Sequence, residues 1–92
     1  MKENYLVCYD IADEYRLQRV LRHMKARGLH VQYSVFLCKL GWNDLQIMKD
    51  SLGKLIEPRE DDVRIYPLPA SLQVTAMGRG GRIPEGVDLY LS

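Results

Sequence analysis

Asp10 stands where an unbroken apolar segment, Tyr5-Leu6-Val7-Cys8-Tyr9, gives way to Ile11-Ala12-Asp13 and a strongly amphipathic stretch. The segment reads as a strand that is apolar on both faces, and the stretch after it as a helix. A carboxylate at the C-terminal lip of a buried strand is costly without a partner, and the ends of central strands are where sites tend to sit. One chemistry open to Asp10 is that of a metal ligand. Mg²⁺ takes oxygen donors, keeps several waters, and often uses only one or two carboxylates plus phosphate oxygens. A cation held there polarises a phosphate and lowers the pKa of a bound water. The plainer alternative is an aspartate that accepts hydrogen bonds from backbone amides in a strand-to-helix turn.

Other residues could serve the same chemistry. Arg16, Arg19, Arg22, His23 and Arg27 lie along the helix opposite or beside its apolar stripe, where they could track a phosphate backbone. For Arg19 and Arg22 an ordinary solvated face, paired to Glu14, is the better reading. Arg16 differs, because it sits in the first helical turn near the Asp10 loop. Ser34 and Phe36 share a strand face with Gln32 by period two. Ser34 suits positioning a phosphate or a water, but makes a poor nucleophile, since neither histidine forms a triad with it. Tyr9 and Phe36 offer rings for base stacking, although such rings are more often core. His23 and His30 lack metal-ligand spacing with Cys8 and Cys38, which argues against zinc. Gly78-Arg79-Gly80-Gly81-Arg82 has the amides and guanidiniums to wrap a phosphate, and reads better as a hinge.

These groups must be positioned by a single domain, since the chain has 92 residues. Apolar residues make up 47%, enough for one core, and a domain this small gains from oligomerisation. Charged residues are 27% with a net charge of +1, so there is no global basic field and polyanion binding must come from local patches. Cys8 and Cys38 lie in apolar runs, which points to a reducing compartment. With no signal peptide and no run near the ~18 apolar residues of a membrane span, a cytoplasmic location and no membrane partner are expected.

Residues 4–10 are expected as a strand, and 13–27 as a helix with Asp13 as N-cap, Gly28 as stop and Leu17, Val20, Leu21 and Met24 as its stripe. Residues 30–40 are rich in β-branched and aromatic types and read as extended, ending at Gly41. A second helix is expected over 43–56, with a capping box from Asn43 and Gln46 and a stripe of Leu45, Met48, Leu52, Leu55 and Ile56. A charged loop (57–62), a strand over 63–68, an alternating strand over 72–76 and a last strand over 87–91 complete the order. This order predicts an α+β, ferredoxin-like βαββαβ sandwich with extra C-terminal strands. That fold needs a hairpin between its helices, yet residues 30–40 carry no turn residue. Either the run is one long bent strand or it breaks near Gln32 to Ser34.

Taken in order, Tyr5 to Ile11, Asp13, Arg16, Gly28, Val31-Gln32-Tyr33-Ser34-Val35-Phe36 and Asp62-Val63-Arg64-Ile65-Tyr66-Pro67-Leu68 resemble the CRISPR-associated Cas two family over roughly residues 4–78. The resemblance implies a homodimer with two facing sheets, a core over 1–78, and a tail over 79–92 whose strand extends the partner's sheet. It implies an adaptor that bridges the Cas one integrase and holds double-stranded DNA during spacer acquisition. The alternative it implies is a Mg²⁺-dependent endonuclease on RNA or duplex DNA, with Asp10 of both subunits sharing the cation and Arg16 and Ser34 orienting the phosphate. Tyr9, Arg16, Arg19, His30, Gln32 and Phe36 are then the nucleic-acid-binding positions. Two departures bear on nuclease activity more than on acquisition. His30 stands where many relatives carry Arg, which loses a permanent charge. Leu37 stands where many carry Glu.

Overall fold

The computed structural model describes residues 1–71, 73–77 and 88–91. The order is β1 (Glu3–Asp10), α1 (Glu14–Lys25), β2 (Leu29–Gln32), β3 (Val35–Leu40), α2 (Trp42–Leu55), β4 (Asp62–Pro67), β5 (Gln73–Ala76) and β6 (Asp88–Leu91). The first four strands form an antiparallel sheet in the order β2-β3-β1-β4, so β3 is inserted between β1 and β2. This is the ferredoxin-like split βαβ arrangement, in which both helices must lie on one face of the sheet. β5 and β6 pair in parallel as a separate two-stranded unit. The expected loop at 78–82, Leu72 and Val87 lie outside the described residues.

The two faces of β1 differ. Tyr5, Val7 and Tyr9 are buried with Phe36, Cys38 and Leu40 of β3, beneath Val20 and Met24 of α1 and Met48 and Leu52 of α2. The alternate residues, Leu6 and Cys8, are only half-buried, on the face that no helix covers. The strand is apolar on both faces, as its sequence reads, but the helices bury only one of them. Two helices can cover only one face.

α1 begins as its sequence dictates. The Asp13 carboxylate accepts from the Arg16 amide, supplying a partner for one of the free N–H groups of the first turn. At the other end, the amides of Arg27 and Gly28 both donate to the Met24 carbonyl. The chain then passes so close to β3 that a Cβ on Gly28 would lie 2.5 Å from Cys38 Sγ and 3.0 Å from the Leu37 carbonyl oxygen. α2 starts one residue earlier than its sequence suggests. Its N-cap is Gly41, with no side-chain cap, so the expected Asn43–Gln46 capping box does not form. The helix follows β3 directly, which leaves Asn43 inside the first turn where its side chain cannot act as the cap.

The run 30–40 breaks at Tyr33-Ser34 into β2 and β3, despite having no turn residue. A register shift and two hydrogen bonds replace turn chemistry. The pairing shifts register between His30 and Gln32. The His30 ring donates from Nε2 to the Tyr33 carbonyl at 2.9 Å, and the Tyr9 amide donates to the Ser34 carbonyl at 3.1 Å.

Candidate active site at the end of the central strand

Asp10 is exposed at the end of β1, directly opposite Asp62 of β4. Directly opposed residues point to the same face, so the two carboxylates are neighbours on the helix-free side. Asp62 is held by Arg64 Nε at 3.0 Å. The amides of the turn after Asp10 have other partners. Asp61 accepts from the Ala12 amide at 2.9 Å, and Asp13 accepts from the Arg16 amide at 2.9 Å. Among the described residues the Asp10 carboxylate makes no hydrogen bond, so it is not the turn-capping aspartate of the plainer reading.

Two adjacent carboxylates suit a hard cation that keeps its waters and binds through phosphate oxygens. Among the described residues no three His, Cys, Asp or Glu side chains come together as a metal cluster. A closed site of the zinc type is therefore not built within these residues.

Sequence reasoning missed Asp61, whose only signal was its place in the acidic run Glu60-Asp61-Asp62 before β4. Its side chain is fully enclosed, and Arg16 forks onto it through Nε at 2.9 Å and a terminal nitrogen at 3.2 Å. The same terminal nitrogen also reaches Glu60 at 2.9 Å, and the Glu57 amide donates to Asp61 at 2.7 Å. Hydrogen bonds from Arg16 first, and from the Glu57 and Ala12 amides as well, overcome the opposing effect of burial and hold the Asp61 pKa down to about 2. Hydrogen bonds to Asp61 and Glu60 push the Arg16 pKa up in return. Arg16 thus ties the Asp10 loop to the α2–β4 connection, with its guanidinium turned toward carboxylates.

Of the remaining site residues, Tyr9, His30, Gln32, Ser34 and Phe36 lie around the β2–β3 turn, whereas Arg19 lies on α1. Ser34 lies in the turn, and Tyr9 is buried beside it. Phe36 is fully buried, with the His30 ring stacked on it at 4.5 Å and 4°, and Tyr9 at 6.2 Å and 23°. It therefore backs these two rings and has no free face of its own. Burial first, and Tyr33 second, push the Tyr9 pKa up. Gln32 pairs with Val35, while His30 pairs with Phe36. The register shift and the chain reversal put Gln32 on the opposite face from Phe36, which corrects the expected common face. Arg19 is exposed over the Tyr15 ring, 5.8 Å from its centroid. A cavity of about 180 Å³ opens beside Tyr9, His30, Tyr33 and Ser34, against α1.

Residues 3–74 match the family model of CRISPR associated protein Cas2. The chain belongs to this family. It is 56% identical over 90 residues to the CRISPR-associated endoribonuclease Cas2 2 of Thermodesulfovibrio yellowstonii, a match covering 98% of this chain and 99% of that one. Its fold is similar to the crystal structure of a hypothetical protein TT1823 from Thermus thermophilus, with a TM-score of 0.79, 32% identity, and coverage of 89% and 98% of the two chains. It is also similar to Streptococcus pyogenes Cas2, with a TM-score of 0.67, 31% identity and coverage of 72% and 86%. Membership in the Cas2 family places the chain in CRISPR systems. Among the described residues no helix is long and apolar enough to cross a membrane.

Proposed function

We propose that this Cas2 protein is a nucleic-acid phosphodiesterase of a CRISPR system that works as a two-fold homodimer, with Asp10 of each subunit at its centre. The observation that carries this reading is the uncommitted Asp10 carboxylate at the end of a sheet face that no helix covers. Leu6, Cys8 and Val35, each half-buried, lie on the middle strands of that face beside the buried Leu37, with Tyr66 44% exposed next to them. A second copy is the natural cover for such a face on a small domain. Two β1 strands meeting across the axis bring two Asp10 side chains together. In the finer form of this dimer, residues 87–91 extend the partner's sheet.

The endoribonuclease name of the T. yellowstonii relative supports the reaction class. Asp10, with Asp62 beside it, would hold Mg²⁺, which when bound polarises the phosphate and lowers the pKa of a water. Arg16 keeps the Asp10 loop in place through Asp61. Ser34, in the β2–β3 turn at the same end of the sheet, would orient a phosphate that reaches round this end.

A second reading is favoured by a separate observation. Arg16 is committed to carboxylates, while Arg19, Arg22 and Lys25 are exposed on α1. That combination suits an adaptor that holds duplex DNA and bridges the Cas one integrase during spacer acquisition.

The test is cleavage of RNA and of duplex DNA with and without Mg²⁺, comparing wild type with Asp10→Ala, alongside spacer integration with the Cas one integrase. Metal-dependent cleavage lost in the variant is the expected result. Equal cleavage in both proteins, or none, sinks the nuclease, and integration that survives Asp10→Ala leaves the adaptor.

A further inference from the structure

We propose that the cavity between α1 and the β2–β3 turn is a subsite for one unstacked nucleobase of a single-stranded nucleic acid. Tyr9, His30 and Tyr33 line it with aromatic side chains, Tyr33 open and Tyr9 nearly buried, and Leu17 and Leu21 of α1 supply the apolar part. At about 180 Å³ the cavity is smaller than the roughly 300–1,000 Å³ of pockets for drug-sized ligands. It therefore suits a single planar ring system.

The lining is both flat and polar-edged. The His30 ring lies 4.5 Å from the Phe36 ring and within 4° of parallel, so it stacks flat on that ring. Its Nε2 donates to the Tyr33 carbonyl, and because a carbonyl only accepts, Nε2 carries the proton. Among the described residues the other ring nitrogen, Nδ1, has no hydrogen-bond partner. The Gln18 amide nitrogen donates to Glu14 at 3.0 Å, which leaves the Gln18 oxygen as an acceptor. The Ser34 hydroxyl both donates and accepts. Tyr33 is 85% exposed, an open ring at the mouth of the cavity. Exposed aromatic rings beside hydrogen-bonding groups are how proteins hold splayed-out bases, which a duplex does not offer.

The cavity and Asp10 lie at the same end of the sheet on opposite faces, since Tyr9 packs on the helix side and Asp10 is the next residue. A single strand crossing this end places a base in the cavity and a neighbouring phosphate near Asp10. Only this last step rests on the proposed nuclease reading.

The experiment is an NMR titration of the intact chain with uridine 5′-monophosphate, adenosine 5′-monophosphate and, as a base-free control, ribose 5-phosphate, repeated on Tyr33→Ala. Both nucleotides are expected to shift the ring signals of Tyr9, His30 and Tyr33 and the Ser34 amide, while ribose 5-phosphate leaves them in place. Tyr33→Ala is expected to weaken the nucleotides by about fivefold or more. An equal response to ribose 5-phosphate, unmoved cavity signals, or unchanged affinity in Tyr33→Ala overturns the subsite. Nucleotide binding without cleavage by the same preparation removes the nuclease and keeps the subsite. Cleavage without cavity shifts does the reverse.

Discussion

Arg16 and Asp61 are joined by a fork of two hydrogen bonds, at 2.9 and 3.2 Å, across 45 residues of sequence. The enclosed carboxylate also accepts from the Ala12 and Glu57 amides. Four donors thus converge on one side chain and pin the loop that carries Asp10 against the lead-in to β4. A buried carboxylate needs such partners to stay ionised. The arrangement makes Asp61 the residue on which the shape of the site end depends, although it touches nothing that reacts.

Removing either partner should loosen that loop. Asp61→Asn and Arg16→Ala are each expected to lower the melting temperature and to speed hydrogen exchange at the Ala12 amide. Because the two side chains act as a unit, the double variant should be little less stable than the worse single one. Fully additive losses would show that the fork contributes nothing as a pair.

The same fork sets an acid limit. The Asp61 pKa is depressed from 3.8 to about 2, so the native state binds its proton more weakly than the unfolded state. The stability this contributes is fully present above the unfolded value and is lost as pH falls through about 2. Urea midpoints measured from about pH 5 downward should fall more steeply for wild type than for Asp61→Asn, which has no such group to titrate. Identical slopes would count against the depressed pKa. Near neutral pH the loop should be insensitive to pH through this group.

Two glycines should respond oppositely to alanine. At Gly28 a Cβ would meet Cys38 Sγ at 2.5 Å and the Leu37 carbonyl oxygen at 3.0 Å, so Gly28→Ala forces β3 and the α1–β2 link apart. Overpacking of this kind costs about 1–3 kcal/mol. Gly53 is exposed within α2 with nothing within 4 Å of a new Cβ, so Gly53→Ala should stabilise by about 0.5–1 kcal/mol. Chemical denaturation of both variants checks the pair, and a neutral Gly28→Ala would mean that the link has room to move.

The two thiols should differ in reactivity. Cys38 is fully buried, and burial pushes its pKa up to about 11, so it should react with an alkylating reagent only on unfolding. Cys8 is half-buried on the helix-free face and should react first. In the proposed homodimer that face is covered, so Cys8 labelling should slow as protein concentration rises. A Cys8 rate independent of concentration would argue against the interface.

Much of the fold was legible because its signals are local. The helix periodicity, the Asp13 cap and the punctuation at Gly28 depend on residues within a turn or two of one another. They yielded the order of elements and the α+β class, and the resemblance carried by residues such as Tyr9, Asp10 and Arg16 pointed to the Cas2 family. The placement of Asp10 at a strand end was legible in the same way. Whether its carboxylate was already committed was not, since Asp61, which takes the Ala12 amide instead, lies 49 residues away from it.

Tertiary structure alone decided the rest. The break at Tyr33-Ser34 rests on a ring-to-carbonyl bond and on β1, and carries no turn residue to announce it. That break put Gln32 and Phe36 on opposite faces, against a period-two count that holds only while a strand continues. The pairing of β1 with β4 set Asp62 beside Asp10. Arg16 looked like a phosphate ligand by type and position, yet it faces the enclosed Asp61. The physical reason is common to all of these. A residue's type and its local pattern determine the element it joins, whereas its partners are chosen by packing between segments far apart in the chain.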